Sequence, residues 1–252
     1  MSHHKIILDN VYYKYPDGKE AVNGISFEIH HGESVAIVGA NGAGKSTLLM
    51  LLVGILFPEE GYINIGDMPV TKETLSIIRQ KIGFTFQNAD DQLFMTSVYD
   101  DVAFGPRNYR LSEDEVKKRV EYALDIVGIS HLKDRPPYKL SGGEKRSASI
   151  ASVLSIKPDI LLMDEPSAAL DPKSRRRLIN LLNDFTHTKV ITTHDLDMVL
   201  DVCDRTIVLG QGKVLADGLS KELLADDILM EKCGLEKPLS IQKCPICSNK
   251  RT

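Results

Sequence analysis

The chain has 252 residues, with 31 lysines and arginines against 35 aspartates and glutamates and a formal net charge of −4. Hydrophobic residues make up 42% and charged residues 26%, which is typical of a globular protein and excludes a disordered or collagen-like chain. The small negative charge argues against a nucleic-acid partner bound by broad phosphate neutralisation.

Apolar runs and cysteines indicate where such a protein works. The longest apolar run, residues 48–57, is about half of the roughly 20 residues that a bilayer core needs. The N-terminus has no apolar stretch of the signal-peptide type. Four cysteines are too few for a disulfide scaffold. We therefore expect a soluble, cytoplasmic protein without a membrane span.

The first third of the chain alternates between strand-like and helix-like patterns. Turn residues separate β-rich runs at 6–8, 11–13 and 25–29, and residues 34–38 form a nearly all-apolar strand of the kind covered on both faces. A glycine-rich turn follows. The next predicted elements are a helix over 45–54, a strand at 62–65, a helix at 71–79 and a strand at 82–86.

The middle of the chain, from 96 to 156, changes to a helical pattern. Ser112 and Glu115 predict a capping box that opens a helix ending at Gly128. The β/α alternation then resumes, and it predicts a mainly parallel sheet with the helical stretch inserted as a subdomain. The predicted elements are strands at 160–163, 189–193, 205–209 and 213–216 and helices at 173–184 and 195–203.

A complete G-x-x-x-x-G-K-S motif lies between the buried strand and a helix. It reads Gly39-Ala40-Asn41-Gly42-Ala43-Gly44-Lys45-Ser46. Backbone N–H groups must converge on phosphate oxygens here, which requires glycines, and the helix N-terminus adds a positive potential. Lys45 can reach the β- and γ-phosphates, and the Ser46 hydroxyl can bind Mg²⁺. The motif predicts a nucleoside-triphosphate site.

Two acidic residues, Asp164 and Glu165, end the apolar strand that begins at residue 160. Because α/β proteins bind ligands at the carboxyl ends of parallel strands, we expect this pair beside the phosphate loop. Asp164 can hold Mg²⁺ directly or through a water. Glu165 can act as the general base on a water aimed at the γ-phosphate.

A second anion-binding helix start is predicted by Leu140-Ser141-Gly142-Gly143-Glu144, which precedes a helical run. The two glycines leave backbone N–H groups uncovered at the start of that helix. One nucleotide has little use for two such cradles from a single subunit. We therefore interpret the second cradle as a cap for ATP held by another copy.

With these motifs in this order, the chain resembles the ATP-binding cassette (ABC) ATPases from about residue 5 to residue 235. The matching elements are the phosphate loop as Walker A, 160–165 as Walker B, 140–144 as the signature, Gln87 as the Q-loop glutamine, 167–171 as the D-loop, His194 as the switch histidine and Tyr15 as the aromatic that stacks on adenine. The resemblance implies an α/β P-loop NTPase fold of the ABC type. We expect that domain to span residues 1–235, with a RecA-like core, an antiparallel β subdomain and an α-helical subdomain inserted at about 89–157, and a tail at 236–252 to follow it.

The resemblance also implies the site and the assembly, with ATP and Mg²⁺ as cofactors. Two cassettes, as a homodimer or a heterodimer, close head to tail on two ATP, with each Walker A facing the partner's signature. The implied ATP-binding residues are Tyr15, Gly39, Ala40, Asn41, Gly42, Ala43, Gly44, Lys45, Ser46, Thr47 and Gln87. The implied catalytic residues are Lys45, Glu165 and His194; the implied Mg²⁺ ligands are Ser46, Gln87 and Asp164. The residues implied to contact the partner are Ser141, Gly142, Gly143 and Glu144 on its ATP and Asp171 across the interface.

Two residues depart from the usual signature region of the family. Glu144 replaces the more common glutamine, and Ser147 occupies a position that is often arginine, with Arg146 just before it. The second departure concerns the fine positioning of the signature helix and not the use of ATP.

The stretch after the Q-loop resembles one group of ABC ATPases, those of energy-coupling-factor importers. Residues 86–94 read Phe-Gln-Asn-Ala-Asp-Asp-Gln-Leu-Phe and 102–106 read Val-Ala-Phe-Gly-Pro; Tyr-Pro-Asp-Gly at 15–18 and Gly-Leu-Glu-Lys-Pro-Leu at 234–239 resemble the cobalt/nickel branch. In such importers a transmembrane scaffold subunit inserts coupling helices into a groove near the Q-loop, and a separate membrane protein captures the substrate. The resemblance thus implies attachment to the cytoplasmic face of the cell membrane and a groove that includes Leu93, Phe94, Met95 and Phe104; packing inside the helical subdomain is the alternative for these residues.

Two alternatives stay open at this point. An energy-coupling-factor ATPase could serve a vitamin importer, and a non-transport ABC ATPase, such as the iron–sulfur assembly type, has a compatible architecture. The tail is a separate question, because Cys244-Pro245-Ile246-Cys247 has the spacing of a zinc knuckle but is a single knuckle. A polar tail with free thiols is the other interpretation of it, and Cys203 is expected to be buried.

Overall fold

The computed structural model describes residues 5–242. The strands in this part of the chain are β1 Ile6–Lys14, β2 Glu20–Ile29, β3 Ser34–Val38, β4 Glu60–Ile65, β5 Met68–Pro69, β6 Ile82–Thr85, β7 Ile160–Asp164, β8 Thr188–Thr192, β9 Arg205–Gly210 and β10 Lys213–Leu219. The helices are α1 Lys45–Leu52, α2 Leu75–Lys81, α3 Val98–Asn108, α4 Glu113–Val127, α5 Gly142–Leu154, α6 Pro172–Asp184, α7 Leu196–Val202, α8 Ser220–Leu223 and α9 Asp227–Lys232. None of these helices is long and apolar enough to cross a membrane.

The strands form two sheets. One has the order β10-β9-β3-β8-β7-β6, with β9, β3, β8, β7 and β6 parallel and β10 antiparallel at one edge. The other is antiparallel, with the order β2-β1-β4-β5. The prediction of an α/β fold with a mainly parallel sheet is confirmed.

The central strand β3 explains why the parallel sheet is buried on both faces. Successive side chains of a strand point to opposite faces, and here both sets are apolar. Val35 and Ile37 join the hydrophobic cluster that contains α1 and the antiparallel sheet. Ala36 and Val38 join the cluster on the opposite face, which contains residues of α3 to α7. The sheet is therefore a rigid middle layer.

The parallel order also places four loops at one edge of the sheet. The loops that follow β3, β6, β7 and β8 begin at Gly39, Phe86, Glu165 and Thr193. Since these strands are parallel, their carboxyl ends meet at the same edge. Between β6 and β7 in the chain, α3, α4 and α5 pack on one another as an inserted helical unit. The domain limits at 89–157 and 235 stay predictions.

Some predicted elements differ in the structure. The two predicted strands at 6–8 and 11–13 are one strand, β1, whose pairing shifts between Leu8 and Val11. Asn10, with φ 50°, absorbs the extra residue of this bulge. The predicted helix at 71–79 is shifted to α2, because the Thr74 side chain bonds within the preceding turn.

The prediction of a capping box at Ser112 was right for one of its two hydrogen bonds and wrong for the other. The Ser112 hydroxyl accepts the Glu115 N–H at 3.4 Å, as expected. The Glu115 carboxylate instead accepts a hydrogen bond from Arg119, one turn further along α4, at 2.7 Å. A charged donor at i+4 is the stronger partner for this carboxylate.

Candidate functional site

The phosphate loop, residues 39–46, joins β3 to α1 and requires glycine at Gly44. Gly44 has φ 101°, and a Cβ at this position would lie 2.2 Å from the Ala21 carbonyl oxygen. Gly44 also precedes the first residue of α1 without a side-chain cap. The N–H groups of the first helical turn are therefore available to an anion.

The Lys45 ammonium lies over this loop. The residue is 8% exposed, and its Nζ donates to the carbonyl oxygens of Gly39 at 2.7 Å and Ala40 at 3.1 Å. The same nitrogen lies 3.3 Å from Nε2 of His194. Burial lowers the pKa of Lys45, and the nearby Glu165 and Asp164 carboxylates oppose this effect. The cation is thus held where it can meet a phosphate.

Asp164 and Glu165 take different positions although they are adjacent in the chain. Asp164 ends β7 and is 2% exposed. Its Oδ1 accepts the Thr192 hydroxyl at 2.5 Å. Glu165 has φ 48°, a strained left-handed conformation that turns the chain out of the strand. The first carboxylate is therefore fixed inside the sheet edge and the second is turned away from it.

The Glu165 carboxylate is oriented by His194. Its Oε2 accepts a hydrogen bond from the backbone N–H of His194 at 3.1 Å. Its Oε1 lies 3.5 Å from Nε2 of the His194 imidazole ring. Beside the ring, Arg175 donates to both carboxylate oxygens of Asp195 at 2.6 and 2.7 Å. This bidentate pair fixes the turn that carries the histidine.

Most of the predicted nucleotide-binding residues line one cleft of about 160 Å³. The lining residues are Tyr15, Lys19, Ala21, Asn41, Gly42, Ala43, Gly44, Lys45, Ser46, Thr47, Gln87, Asp164, Glu165 and His194. Gly39 and Ala40 contribute carbonyl oxygens to Lys45 and do not line the cleft. The Tyr15 hydroxyl lies 3.0 Å from Oγ1 of Thr47, which ties this ring to the start of α1.

The predicted magnesium ligands share this cleft. Ser46, Gln87 and Asp164 offer a hydroxyl, an amide oxygen and a carboxylate. These are the hard oxygen donors that Mg²⁺ prefers, and Mg²⁺ completes its shell with water and phosphate oxygens. Within residues 5–242 no cluster of three or more His, Cys, Asp or Glu side chains could hold a metal by itself. The residues thus fit a cation that arrives with a nucleotide.

The predicted signature lies outside that cleft, at the N-terminus of α5. Ser141 caps the helix and forms a capping box with Glu144, whose carboxylate accepts the Ser141 N–H at 2.7 Å. Those hydrogen bonds lower the pKa of Glu144. The departure at Glu144 therefore has a structural role. Gly143 cannot carry a side chain, since its Cβ would lie 2.8 Å from the Ala169 carbonyl oxygen.

Asp171 has a local role in the structure. Its carboxylate caps α6 by accepting the N–H groups of Lys173 and Ser174 and the Ser174 hydroxyl. Its predicted action across an interface stays a prediction.

Three polar residues that organise the site were missed by the sequence reasoning. Thr192 holds Asp164, as described above. Arg146, named above only as the neighbour of the departure at Ser147, is 3% exposed and donates to the Phe86 carbonyl oxygen at 2.6 Å and to that of Gln87. Gln92 donates to the Ser149 carbonyl oxygen at 2.8 Å. Of the three, only Gln92 could have been found from the sequence, because it lies in residues 86–94, the stretch that resembles energy-coupling-factor ATPases.

The predicted groove residues divide into two sets. Leu93 is buried in the hydrophobic core, as packing inside the helical unit would require. Phe94 and Phe104 are 65% and 44% exposed, and their rings meet edge to face with centroids 5.0 Å apart. These two rings form an exposed aromatic pair near the Q-loop.

Two of the four cysteines, Cys203 and Cys233, lie among the described residues. Cys203 is buried, as predicted, and burial raises its pKa to about 12. Cys233 is buried as well. Cys244 and Cys247, the pair with the spacing of a zinc knuckle, lie outside the described residues.

Comparisons with known proteins agree on one family. A family model described as "ABC transporter" matches residues 22–168. A protein of Geobacter sulfurreducens, provisionally named an ABC transporter ATP-binding protein, is 57% identical over 98% of this chain and 99% of its own length. The energy-coupling factor transporter ATP-binding protein EcfA of Carboxydothermus hydrogenoformans is 42% identical over 93% of this chain and 88% of its own. The solved structure of cbiO1 from Clostridium perfringens, part of the ABC transporter complex cbiONQ, is 41% identical with a TM-score of 0.78, covering 91% of this chain and 94% of that one.

Proposed function

The chain belongs to the ABC transporter ATP-binding family, and from this premise we propose that it is the ATP-hydrolysing subunit of an energy-coupling-factor importer for cobalt or nickel ions. One observation carries the proposal. Residues 41–46 of the phosphate loop, both carboxylates and His194 line one cleft, while the signature lies outside it with Ser141 and Gly142 exposed. The chain thus holds one ATP site and a cap for a second one.

The chemistry follows from the positions around Glu165. Its Oε2 is engaged by the His194 N–H, which leaves Oε1 to take the proton of an attacking water. The water oxygen bonds to the γ-phosphorus while the bond to the β–γ bridging oxygen breaks, releasing ADP and phosphate. Lys45 leaves the loop carbonyls to hold the phosphates. Ser46, Gln87 and Asp164 would hold Mg²⁺, which would supply positive charge to the phosphate oxygens.

A second copy completes each site in this proposal. Ser141 and Gly142 are exposed, and Gly142 and Gly143 place their backbone N–H groups at the start of α5. Head-to-tail closure brings this end onto the γ-phosphate held by the partner. A homodimer is sufficient, since each chain carries every motif.

Glu165→Gln tests the hydrolysis step. The variant should bind ATP with the affinity of the wild-type chain but lose steady turnover, because an amide cannot accept the proton. Its ATP-bound dimer should accumulate, measured by size-exclusion chromatography with light scattering. Near-normal hydrolysis by this variant would refute the assignment of Glu165 as the base.

Transport rests on the exposed aromatic pair and on the relatives' names. Phe94 and Phe104 lie on the helical unit beside the Q-loop, a position suited to a transmembrane scaffold subunit whose helix inserts apolar side chains between them. EcfA and cbiO1 are each named as transporter components. The chain then works on the cytoplasmic face of the membrane, beside a scaffold subunit and a substrate-capture membrane protein.

Phe94→Ser tests this docking. Co-purification with a detergent-solubilised membrane protein should be lost in the variant and kept in Ile228→Ser, a matched control 80% exposed on α9. Absence of any membrane partner for the wild-type chain would favour a non-transport ABC ATPase instead.

Uptake of labelled cobalt or nickel should stop in cells carrying Glu165→Gln. Loss of vitamin uptake with normal metal uptake would assign a vitamin as cargo.

A further inference from the structure

A buried guanidinium connects the signature helix to the Q-loop. Arg146 is in the second turn of α5 and is 3% exposed. Its Nη1 and Nη2 donate to two successive carbonyl oxygens, those of Phe86 and Gln87. A planar fork that holds two neighbouring carbonyls fixes both the position and the orientation of that stretch of backbone.

Two further side chains tie the same segments together. Gln92 Oε1 accepts the Phe86 N–H at 3.3 Å, and its Nε2 donates to the Ser149 carbonyl oxygen on α5. Lys145 Nζ donates to the Asp90 carboxylate at 2.6 Å. The loop from 86 to 92 is thus held by α5 at three points along its length.

The geometry makes this connection short. Ser141, which caps α5, precedes Arg146 by five residues, or about 7.5 Å at 1.5 Å per helical residue. Gln87, whose carbonyl oxygen accepts from Arg146, also lines the ATP cleft. If the signature end of α5 moves, the Arg146 side chain therefore moves the Gln87 backbone directly.

We propose that Arg146 is a positioning residue that holds Gln87 in the cleft only while α5 keeps its observed position. Binding of a nucleotide in this chain's cleft and binding of a nucleotide at its signature are thereby coupled within one chain. The inference rests on the proposed ATPase function. It predicts that Arg146 acts on turnover through Gln87 and not through folding or ATP affinity.

A double-mutant cycle on the purified full-length protein tests this. Arg146→Lys keeps the charge but loses the two-carbonyl fork, so kcat should fall roughly tenfold or more. Affinity for a fluorescent ATP analogue without Mg²⁺ should stay within about twofold. In the Gln87→Ala background, Arg146→Lys should lower kcat by less than about twofold, because the group it positions is gone.

Arg119→Lys is the matched control, since Arg119 makes its bonds to Glu115 and to the Ile156 carbonyl oxygen, away from the cleft. Its kcat should stay within about twofold of the wild-type value. If Arg146→Lys does not fold, Gln92→Ala supplies a second variant with the same expected dependence on Gln87.

The outcomes separate the two proposals. A wild-type chain that does not hydrolyse Mg-ATP would overturn the proposed function and this inference with it. An active wild-type chain in which the Arg146 and Gln87 effects multiply would overturn the inference alone. An unchanged kcat in Arg146→Lys would do the same.

Discussion

The hydrogen bond between Thr192 and Asp164 supports a quantitative prediction. Both residues are buried, and the Thr192 hydroxyl donates to Oδ1 of the carboxylate at 2.5 Å. Thr192→Val replaces the hydroxyl by a methyl group of similar size and leaves that oxygen without this donor. Since water has little access, we expect the variant to lose about 1.5–3 kcal/mol, the contribution of a hydrogen bond to a charged group.

The same sheet offers a matched control at Thr85. This threonine on β6 is also fully buried, but its hydroxyl has no hydrogen-bond partner among the described residues. Thr85→Val makes the same chemical change and removes an unsatisfied polar group instead of a satisfied one. The variant should therefore be as stable as the wild-type protein or more so.

Thermal unfolding of the three proteins measures the difference. For a protein of this size 1 kcal/mol shifts the Tm by about 2–4 °C, so Thr192→Val should lower it by about 3–12 °C. Thr85→Val should not lower it. Equal losses in the two variants, or a Tm of Thr192→Val within about 1 °C of wild type, would refute the assigned role of this bond.

Three other predictions follow from single side chains. Lys45→Ala should bind a fluorescent ATP analogue at least about tenfold more weakly, because a charge-assisted contact to phosphate is lost; equilibrium titration measures this. Burial raises the pKa of the Asp101 carboxyl, which accepts the Phe94 and Met95 N–H groups. At neutral pH the charged carboxylate therefore destabilises the folded state, and this destabilisation is lost as the pH falls through the raised pKa of the folded protein. When the pH is lowered from about 7 to about 4, the urea midpoint of the wild-type protein should rise relative to that of Asp101→Asn. Cys203, with its pKa raised to about 12, should resist maleimide in the native state and react only after unfolding, as read by peptide mass spectrometry.

The fold class and most of the cleft could be predicted from local patterns. The phosphate loop was recognisable because glycines recur at Gly39, Gly42 and Gly44, where φ is positive and the backbone must be able to approach phosphate. The strand 34–38 was recognisable because a strand covered on both faces is apolar throughout. In each case the physical requirement acts on residues that are adjacent in the chain.

Local patterns failed where a side chain had two possible partners. The Glu115 carboxylate could close a capping box with Ser112 or pair with Arg119, and the structure has the ion pair. The reverse holds for Glu144, which the sequence marked as a departure and as a contact to the partner's ATP, and which closes the capping box at Ser141. Spacing makes such contacts possible, and competition between partners decides among them.

Sequence motifs alone predict which residues take part in phosphate chemistry, whereas the contacts that hold those residues in place arise from the packing of distant elements. Thr192 reaches Asp164 across 28 residues, and Arg146 reaches Phe86 across 60. Both contacts depend on the order β3-β8-β7-β6 and on the seating of α5 against it. No periodicity within a strand or a helix encodes that order, because it follows from how the apolar faces of all the elements pack together.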